Sequence, residues 1–185
     1  MNLPTWLTLL RILLIPVLII VFYSTIPGSR MLSALVFIVA SLSDWLDGFL
    51  ARRMSLTSRF GEFLDPVADK LMVAAALIIL LQDHPTFWLM LPTVVIIGRE
   101  ITISALREWM AEIGKRTHVA VSIIGKFKTA TQMIAIILLL YRDPIMDFPV
   151  YQAGMLMLYI AAALTLWSMI NYLSAAWVTM RQNDA

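Results

Sequence analysis

Cysteine is absent from the 185 residues of this sequence, which excludes disulfide bonds and metal sites built on thiolates. Histidine occurs only twice, at His84 and His118, and neither has a partner at the spacing of metal ligands. Zinc and copper sites are therefore not expected, because both metals favour sulfur and imidazole ligands.

Charged residues are also scarce, at 14% of the sequence against about 25% in typical soluble domains. The formal net charge is only +2, and no stripe of basic residues with interleaved aromatic residues occurs. Nucleic-acid binding is not expected, because it requires such a basic surface. An ordinary soluble domain is not expected either, because so little charge could not cover its surface.

Apolar residues are abundant instead, at 61% of the sequence. They form stretches separated by turn residues, which predicts an all-α, polytopic membrane protein with a single domain over residues 1–185. Each stretch is close to the roughly 20 residues that cross the hydrocarbon layer, so six transmembrane helices are predicted. Their predicted ranges are 7–26, 31–52, 61–81, 86–110, 119–141 and 150–178.

The first stretch could instead be a signal peptide, since an apolar run follows the positive charge of Arg11. Pro16 interrupts that run, and no small-residue cleavage site follows it. A retained transmembrane helix is therefore the preferred interpretation.

The distribution of positive charge predicts the orientation in the membrane. Loops on one side contain Arg52, Arg53, Arg59, Arg107, Lys115, Arg116 and Arg181. The short turns on the other side contain only Arg30 and Arg142. Because cytoplasmic loops are enriched in Lys and Arg, the richer side and both chain ends are predicted to be cytoplasmic.

Four aspartates stand in a fixed frame within this apolar sequence. The frame is Asp44-x-x-Asp47-Gly48-x-x-Ala51-Arg52, then eight residues, then Gly61-x-x-x-Asp65-x-x-x-Asp69. On helices, spacings of three and four residues put the members of each pair on one face. Four neighbouring carboxylates in apolar surroundings need strong positive charge, and hard divalent cations with oxygen ligands supply it. A site for Mg²⁺ or Mn²⁺ is predicted.

Two features of this frame admit simpler explanations. Asp65 alone could be a favourable acid near a helix start. Gly48 and Ala51 could serve ordinary helix packing, although small residues beside the acids would also let a ligand approach the backbone. The matched spacing of four acids favours the metal site.

Basic residues in the fourth and fifth helices suggest a second site. Arg99 lies inside an apolar helix, Arg107 follows it two turns later, and Lys126 and Lys128 begin the fifth helix. Together they could bind a phosphate monoester. The lysines could instead extend to the membrane interface, and Arg99 could form an internal ion pair with Glu100.

The aspartate frame resembles the signature of the CDP-alcohol phosphotransferase family, with every signature position filled. Flanking segments resemble the branch of that family that uses sn-glycerol 3-phosphate. These segments are Asn2–Pro16, Phe60–Lys70, Gly98–Glu100, Ser104–Trp109 and Gly125–Thr129.

The resemblance implies transfer of a phosphatidyl group from CDP-diacylglycerol to sn-glycerol 3-phosphate, giving phosphatidylglycerophosphate and CMP. It implies two metal ions bound by the four aspartates, and Asp69 as general base. It also implies a homodimer in the bacterial inner membrane, with an N-terminal amphipathic segment and a site facing the cytoplasm. The implied CDP-diacylglycerol-binding residues are Thr5, Thr8, Asp47, Gly48, Ala51, Arg52 and Ser58.

Some of these assignments have alternatives. Arg52 could be a cytoplasmic anchor, as Arg53 is expected to be, and Ser58 could be an unremarkable loop residue. The acceptor could be inositol phosphate, serine or phosphatidylglycerol. A cation transporter that uses the acids as an ion path is the rival from another class, although no internal repeat supports it.

Overall fold

The computed structural model describes residues 3–54, 59–112 and 123–181, and these residues form six α-helices and no β-strand. The all-α prediction is confirmed, and each predicted apolar stretch corresponds to one helix. The helices are α1 (Leu3–Tyr23), α2 (Ser29–Met54), α3 (Arg59–Asp83), α4 (Phe87–Glu112), α5 (Ile123–Tyr141) and α6 (Val150–Arg181).

Three helices in the described part of the chain are long and apolar enough to cross a membrane. Their apolar spans are Trp6–Tyr23, Phe87–Met110 and Val150–Ser174, and α5 has a shorter one at Phe127–Tyr141. α2 and α3 have suitable lengths, but each carries aspartates and basic residues at one end. Six membrane crossings therefore stay a prediction. α1 is continuous from Leu3, so the predicted N-terminal segment and the first span belong to one helix.

The described residues form two compact units. The first contains α1, α2, α3 to His84, and residues 136–154; the second contains residues 85–112, 123–135 and 155–181. Whether the whole chain behaves as a single domain, as predicted, stays a prediction.

In the first unit, α1 packs along both α2 and α3, which contact each other only slightly. Leu18 on α1, Phe37 on α2 and Leu77 on α3 are fully buried. Small buried side chains on α2 and α3, such as Ala40 and Ala76, let helices approach closely. α1 is therefore the helix on which the two aspartate-bearing helices are assembled.

Turns join these helices with local geometry that the sequence suggests. Gly28, in the turn before α2, has a φ of 79°, a left-handed conformation that glycine adopts at little cost. Gly154 lies so close to α5 that an added Cβ would be 2.9 Å from Leu139 Cγ. A larger residue there would push the start of α6 away from the end of α5.

An ionic cluster connects the ends of three helices in the first unit. Arg30 Nη2 donates to both carboxylate oxygens of Asp83, at 3.2 and 3.1 Å. Arg142 Nη1 donates to Asp83 Oδ2 at 2.8 Å, and Arg142 Nη2 lies 2.9 Å from His84 Nε2. We call Arg30, Asp83, His84 and Arg142 the Asp83 cluster. Arg30 lies at the start of α2, Asp83 ends α3, His84 follows it, and Arg142 follows the end of α5, so the cluster joins the ends of three helices.

The second unit is built around α4. Leu89, Ile96 and Ile103 on this helix are buried, as is Leu158 on α6. The Tyr159 hydroxyl donates to the Trp88 carbonyl at 2.8 Å, which links α6 to the start of α4. This packing places the part of α4 around Arg99 beside residues of α5 and α6.

Candidate active site

The aspartates of α2 and α3 meet at a buried arginine of α1. Arg11 Nη1 lies 2.9 Å from Asp44 Oδ1 and 3.0 Å from Asp65 Oδ1. Arg11 is only 1% exposed, whereas the side chains of Asp44 and Asp65 are 35% and 43% exposed. We call these three residues the Arg11 cluster. It brings together one acid from each half of the aspartate frame.

The local sequence explains why this contact forms. Arg11 lies in the middle of an apolar helix, where a buried charge is costly unless an opposite charge compensates it. Because α1 packs between α2 and α3, both neighbouring helices can offer a carboxylate to it. Thr8, three residues before Arg11 and therefore on the same face of α1, is also buried.

The other two aspartates of the frame follow from helix geometry. Asp69 is partly exposed and lies four residues after Asp65 on α3, hence on the same face. Asp47 lies in α2 three residues after Asp44, but its side chain is outside the part that the structure describes. The side chains of Thr5, Ala51 and Arg52, the surroundings of Gly48, and the whole of Ser58 are likewise outside it.

The donor set fits a hard divalent cation. Carboxylate oxygens from two different helices converge on one point, where Arg11 already contributes positive charge. Among the described side chains, no three histidine or acidic residues come close enough to hold a metal by themselves. A complete set of ligands would therefore need Asp47, which the sequence frame places beside Asp44.

The predicted basic site has a different organisation. Glu100 Oε1 accepts from Arg99 Nη1 at 3.0 Å and from Lys128 Nζ at 2.8 Å, while Arg99 Nη2 donates to Ser168 Oγ at 3.2 Å. Lys128 is only 5% exposed. We call these four residues the Glu100 cluster. It unites α4, α5 and α6 of the second unit.

The structure describes the side-chain contacts of two of the four basic residues, Arg99 and Lys128. Lys128 turns into the protein rather than toward an interface, and Arg99 does pair with Glu100. The ion pair does not separate Arg99 from Lys128, because both share one carboxylate oxygen. The side chains of Arg107 and Lys126 lie outside the described part of the chain.

The sequence alone does not identify Arg11 and Ser168 as members of these clusters. A signal for Arg11 was available, because an ionisable residue within an apolar helix is a functional candidate in its own right. Glu100 lies beside Arg99 in the same apolar helix and carries the same signal, whereas nothing in the sequence around Ser168 distinguishes it from other serines.

A model of the CDP-alcohol phosphatidyltransferase family matches residues 1–167 of the chain, which include both halves of the aspartate frame and both Arg99 and Lys128. The chain belongs to this family. As a member of the CDP-alcohol phosphatidyltransferases it is a transferase, and the family uses divalent metal ions.

Curated relatives in this family match almost the full chain. A protein of Yersinia pestis (strain Pestoides F) is 53% identical over 177 residues, which cover 96% of each chain. One of Salmonella choleraesuis (strain SC-B67) is 54% identical over 175 residues, covering 95% of this chain and 94% of the relative. Both are named CDP-diacylglycerol–glycerol-3-phosphate 3-phosphatidyltransferase.

Proposed function

We propose that this chain transfers the phosphatidyl group of CDP-diacylglycerol to sn-glycerol 3-phosphate, giving phosphatidylglycerophosphate and CMP. The observation that carries the proposal is the identity of about 53% over 96% of the chain with relatives whose name specifies both substrates. The two clusters are consistent with it, since one offers carboxylates for a metal and the other offers cations for a phosphate.

For the metal, we assign Asp44, Asp47, Asp65 and Asp69 as ligands of two Mg²⁺ or Mn²⁺ ions. Oxygen ligands of this kind suit both ions, and the sequence has no cysteine that would favour softer metals. When bound, such ions neutralise the charge of a pyrophosphate and of the leaving CMP.

The reaction itself requires one proton transfer and one exchange of bonds at phosphorus. An acceptor hydroxyl oxygen forms a bond to the phosphorus that carries the diacylglycerol, and the bond from that phosphorus to the CMP oxygen breaks. We assign Asp69 to take the proton of the attacking hydroxyl. Because a carboxylate near a metal ion is a weak base, much of its effect would come from orienting the hydroxyl.

For CDP-diacylglycerol, we assign Thr5, Thr8, Asp47, Gly48, Ala51, Arg52 and Ser58. Arg52 suits a pyrophosphate because its planar guanidinium can donate two parallel hydrogen bonds. The absence of large side chains at Gly48 and Ala51 would let the nucleotide approach the α2 backbone.

For the acceptor, we assign Arg99, Arg107, Lys126 and Lys128 to the phosphate of sn-glycerol 3-phosphate. A phosphate monoester carries nearly two negative charges at neutral pH, and Arg99 and Lys128 form a pair of cations that Glu100 only partly neutralises. Serine and phosphatidylglycerol lack a phosphate monoester, so they would gain less from such a cluster.

The proposal is tested by release of CMP from CDP-diacylglycerol by the purified protein in detergent with Mg²⁺. Separate reactions contain sn-glycerol 3-phosphate, inositol phosphate, serine or phosphatidylglycerol. We expect CMP release to depend on sn-glycerol 3-phosphate and on Mg²⁺. Faster CMP release with another acceptor would reassign the acceptor. If no acceptor supported CMP release, the proposed enzymatic function would be wrong.

We further propose a homodimer in the bacterial inner membrane, with the α2–α3 loop and both chain ends in the cytoplasm, where CMP and sn-glycerol 3-phosphate are handled. The native sequence has no cysteine, so a single Thr57→Cys variant reports on that loop alone. We expect an impermeant thiol reagent to label it only after the membrane is opened. Labelling from outside intact cells would reverse the orientation.

A further inference from the structure

Arg11 is an unusual residue for the centre of an apolar helix. It is 1% exposed, and it comes first by volume among the fully buried side chains in the described residues. Its neighbours in sequence are Leu10 and Ile12, so nothing local compensates its charge. A buried arginine of this kind is tolerated when acidic groups face it, and its position is then determined by those groups.

The acids that face it are two of the proposed metal ligands. A single nitrogen, Nη1, lies within 3.0 Å of Asp44 Oδ1 and of Asp65 Oδ1. The carboxylates are far more exposed than the guanidinium, so an ion can reach them from solvent while Arg11 stays buried behind them. Arg11 and a divalent cation would therefore interact with the same two carboxylates.

We propose that Arg11 is a positioning residue that competes with divalent cations for Asp44 and Asp65 and thereby lowers the affinity of the site for metal. The inference rests on the proposed function, in which these aspartates bind the ion. The resemblance to the family described above implies no role for Arg11.

Removing Arg11 would have two opposing effects on metal binding. The carboxylates would lose a group that holds them in place, which would weaken binding. They would also lose a positive charge in direct contact, which would strengthen it. We expect the charge effect to dominate, because the extensive packing of α1 on α2 and α3 holds both backbones independently of Arg11. A charge-assisted hydrogen bond corresponds to about a tenfold to hundredfold change in an equilibrium constant.

The test compares Arg11→Met, which keeps much of the side-chain length but removes the charge, with the native full-length protein in detergent. Binding of Mn²⁺ is measured directly from the signal of the free ion, and the Tm is measured with chelator and with saturating Mg²⁺. We expect Arg11→Met to bind Mn²⁺ about tenfold or more tightly. We also expect a lower Tm with chelator that Mg²⁺ largely restores, because a ligand stabilises the state that binds it.

Two further variants serve as controls. Arg11→Lys keeps a positive charge and should bind Mn²⁺ nearly as the native protein does. Arg30→Met removes an equally acid-paired arginine from the Asp83 cluster, away from the proposed ligands. The decrease in Tm of Arg30→Met relative to the native protein should be the same with chelator and with Mg²⁺, as expected of a purely structural ion pair.

The outcomes separate this inference from the proposed function. If the native protein binds no Mn²⁺ and Mg²⁺ does not change its Tm, the metal assignment fails. If the native protein binds Mn²⁺ but Arg11→Met binds it equally or more weakly, the metal site stands and the competition is wrong. Failure of Arg11→Met to fold even with Mg²⁺ present would also overturn the inference, since it would make Arg11 a structural residue that metal cannot replace.

Discussion

The Arg11 cluster and the Glu100 cluster are built with opposite charge patterns. In the first, one arginine gathers two carboxylates and leaves an excess of negative charge. In the second, one glutamate gathers an arginine and a lysine and leaves an excess of positive charge. In both, one central group contacts two groups of opposite charge, and the excess charge would attract a ligand of the opposite sign. The proposed ligands, a divalent cation and a phosphate, follow from this difference.

The Asp83 cluster shares this pattern, but we do not propose it as a binding site. It also joins two arginines through one carboxylate, as the Glu100 cluster joins two cations. However, its members lie at helix ends or in the connections between helices, and none of them falls in the segments that resemble the family. We therefore assign it to stability, which makes it a useful reference for the other two clusters.

The largest effect is expected at the acid-rich end of α3. Asp69→Asn removes the proposed base and metal ligand while keeping the side-chain shape. The value of kcat should therefore fall by about a hundredfold to ten-thousandfold. Asparagine at position 44, 47 or 65 should act in the same direction, because each change removes an anionic ligand. The measurement is CMP release at saturating substrates and Mg²⁺.

The matched control for Asp69→Asn is the same change at the other end of the same helix. Asp83→Asn should keep a kcat close to that of the native protein at a temperature where both are folded. If two of the four aspartate variants retained near-native turnover, the assignment of a two-metal site to this frame would be wrong.

A smaller and more selective effect is expected in the Glu100 cluster. Lys128→Ala and Arg99→Ala each remove one charge-assisted contact to the acceptor phosphate, worth about 1.5–3 kcal/mol. The value of kcat/KM for sn-glycerol 3-phosphate should fall roughly tenfold to hundredfold. Lys126→Ala and Arg107→Ala should behave alike if their side chains join this cluster. The KM for CDP-diacylglycerol should change much less in all four variants.

Arg30→Ala is the control for these four substitutions. It removes an acid-paired arginine from the Asp83 cluster, so it should lower the Tm without changing either KM. Equal changes in the KM for both substrates, in any of the variants at Arg99, Arg107, Lys126 and Lys128, would move the acceptor site elsewhere. If the KM changed for neither substrate, the acceptor site would likewise have to lie elsewhere.

The sequence predicted the helices well because their signal is local. Hydropathy and turn residues placed α6 at 150–178, and the helix is Val150–Arg181. The first helix began earlier than predicted, at Leu3 rather than residue 7, because Asn2 and Thr5 are polar and lowered the apolar signal there. Boundaries of this kind depend on hydrogen bonds at the helix end, which composition describes poorly.

The clusters were only partly predictable because they join residues far apart in sequence. The spacing of Asp44 and Asp65 in the aspartate frame suggested that they work together, and both contact Arg11. That Arg11 would be their partner depends on how α1 packs, which hydropathy does not determine. The hydrogen bond from Arg99 to Ser168 spans 69 residues and depends equally on packing. Hydropathy within one helix predicted the helices, whereas the contacts between helices depend on packing that the sequence does not determine.

The smallest effect on activity, and a clear effect on stability, is expected from Asp83→Asn. The substitution leaves Arg30 and Arg142 close together without the carboxylate that both contact. Loss of one partner from such a network costs about 1–3 kcal/mol, which corresponds to a Tm lower by about 2–12 °C in a chain of this size. Thermal unfolding in detergent would measure the change.

Asp143→Asn is the matched control, because Asp143 is an exposed acid in the same turn as Arg142 and is not a member of the Asp83 cluster. Its Tm should stay close to the native value, since surface substitutions usually change stability by less than about 0.5 kcal/mol. If Asp83→Asn lowered kcat/KM for sn-glycerol 3-phosphate as Lys128→Ala is expected to, the distinction between a structural and a substrate-binding cluster would fail. In that case an excess of positive charge in either cluster would affect binding of the acceptor.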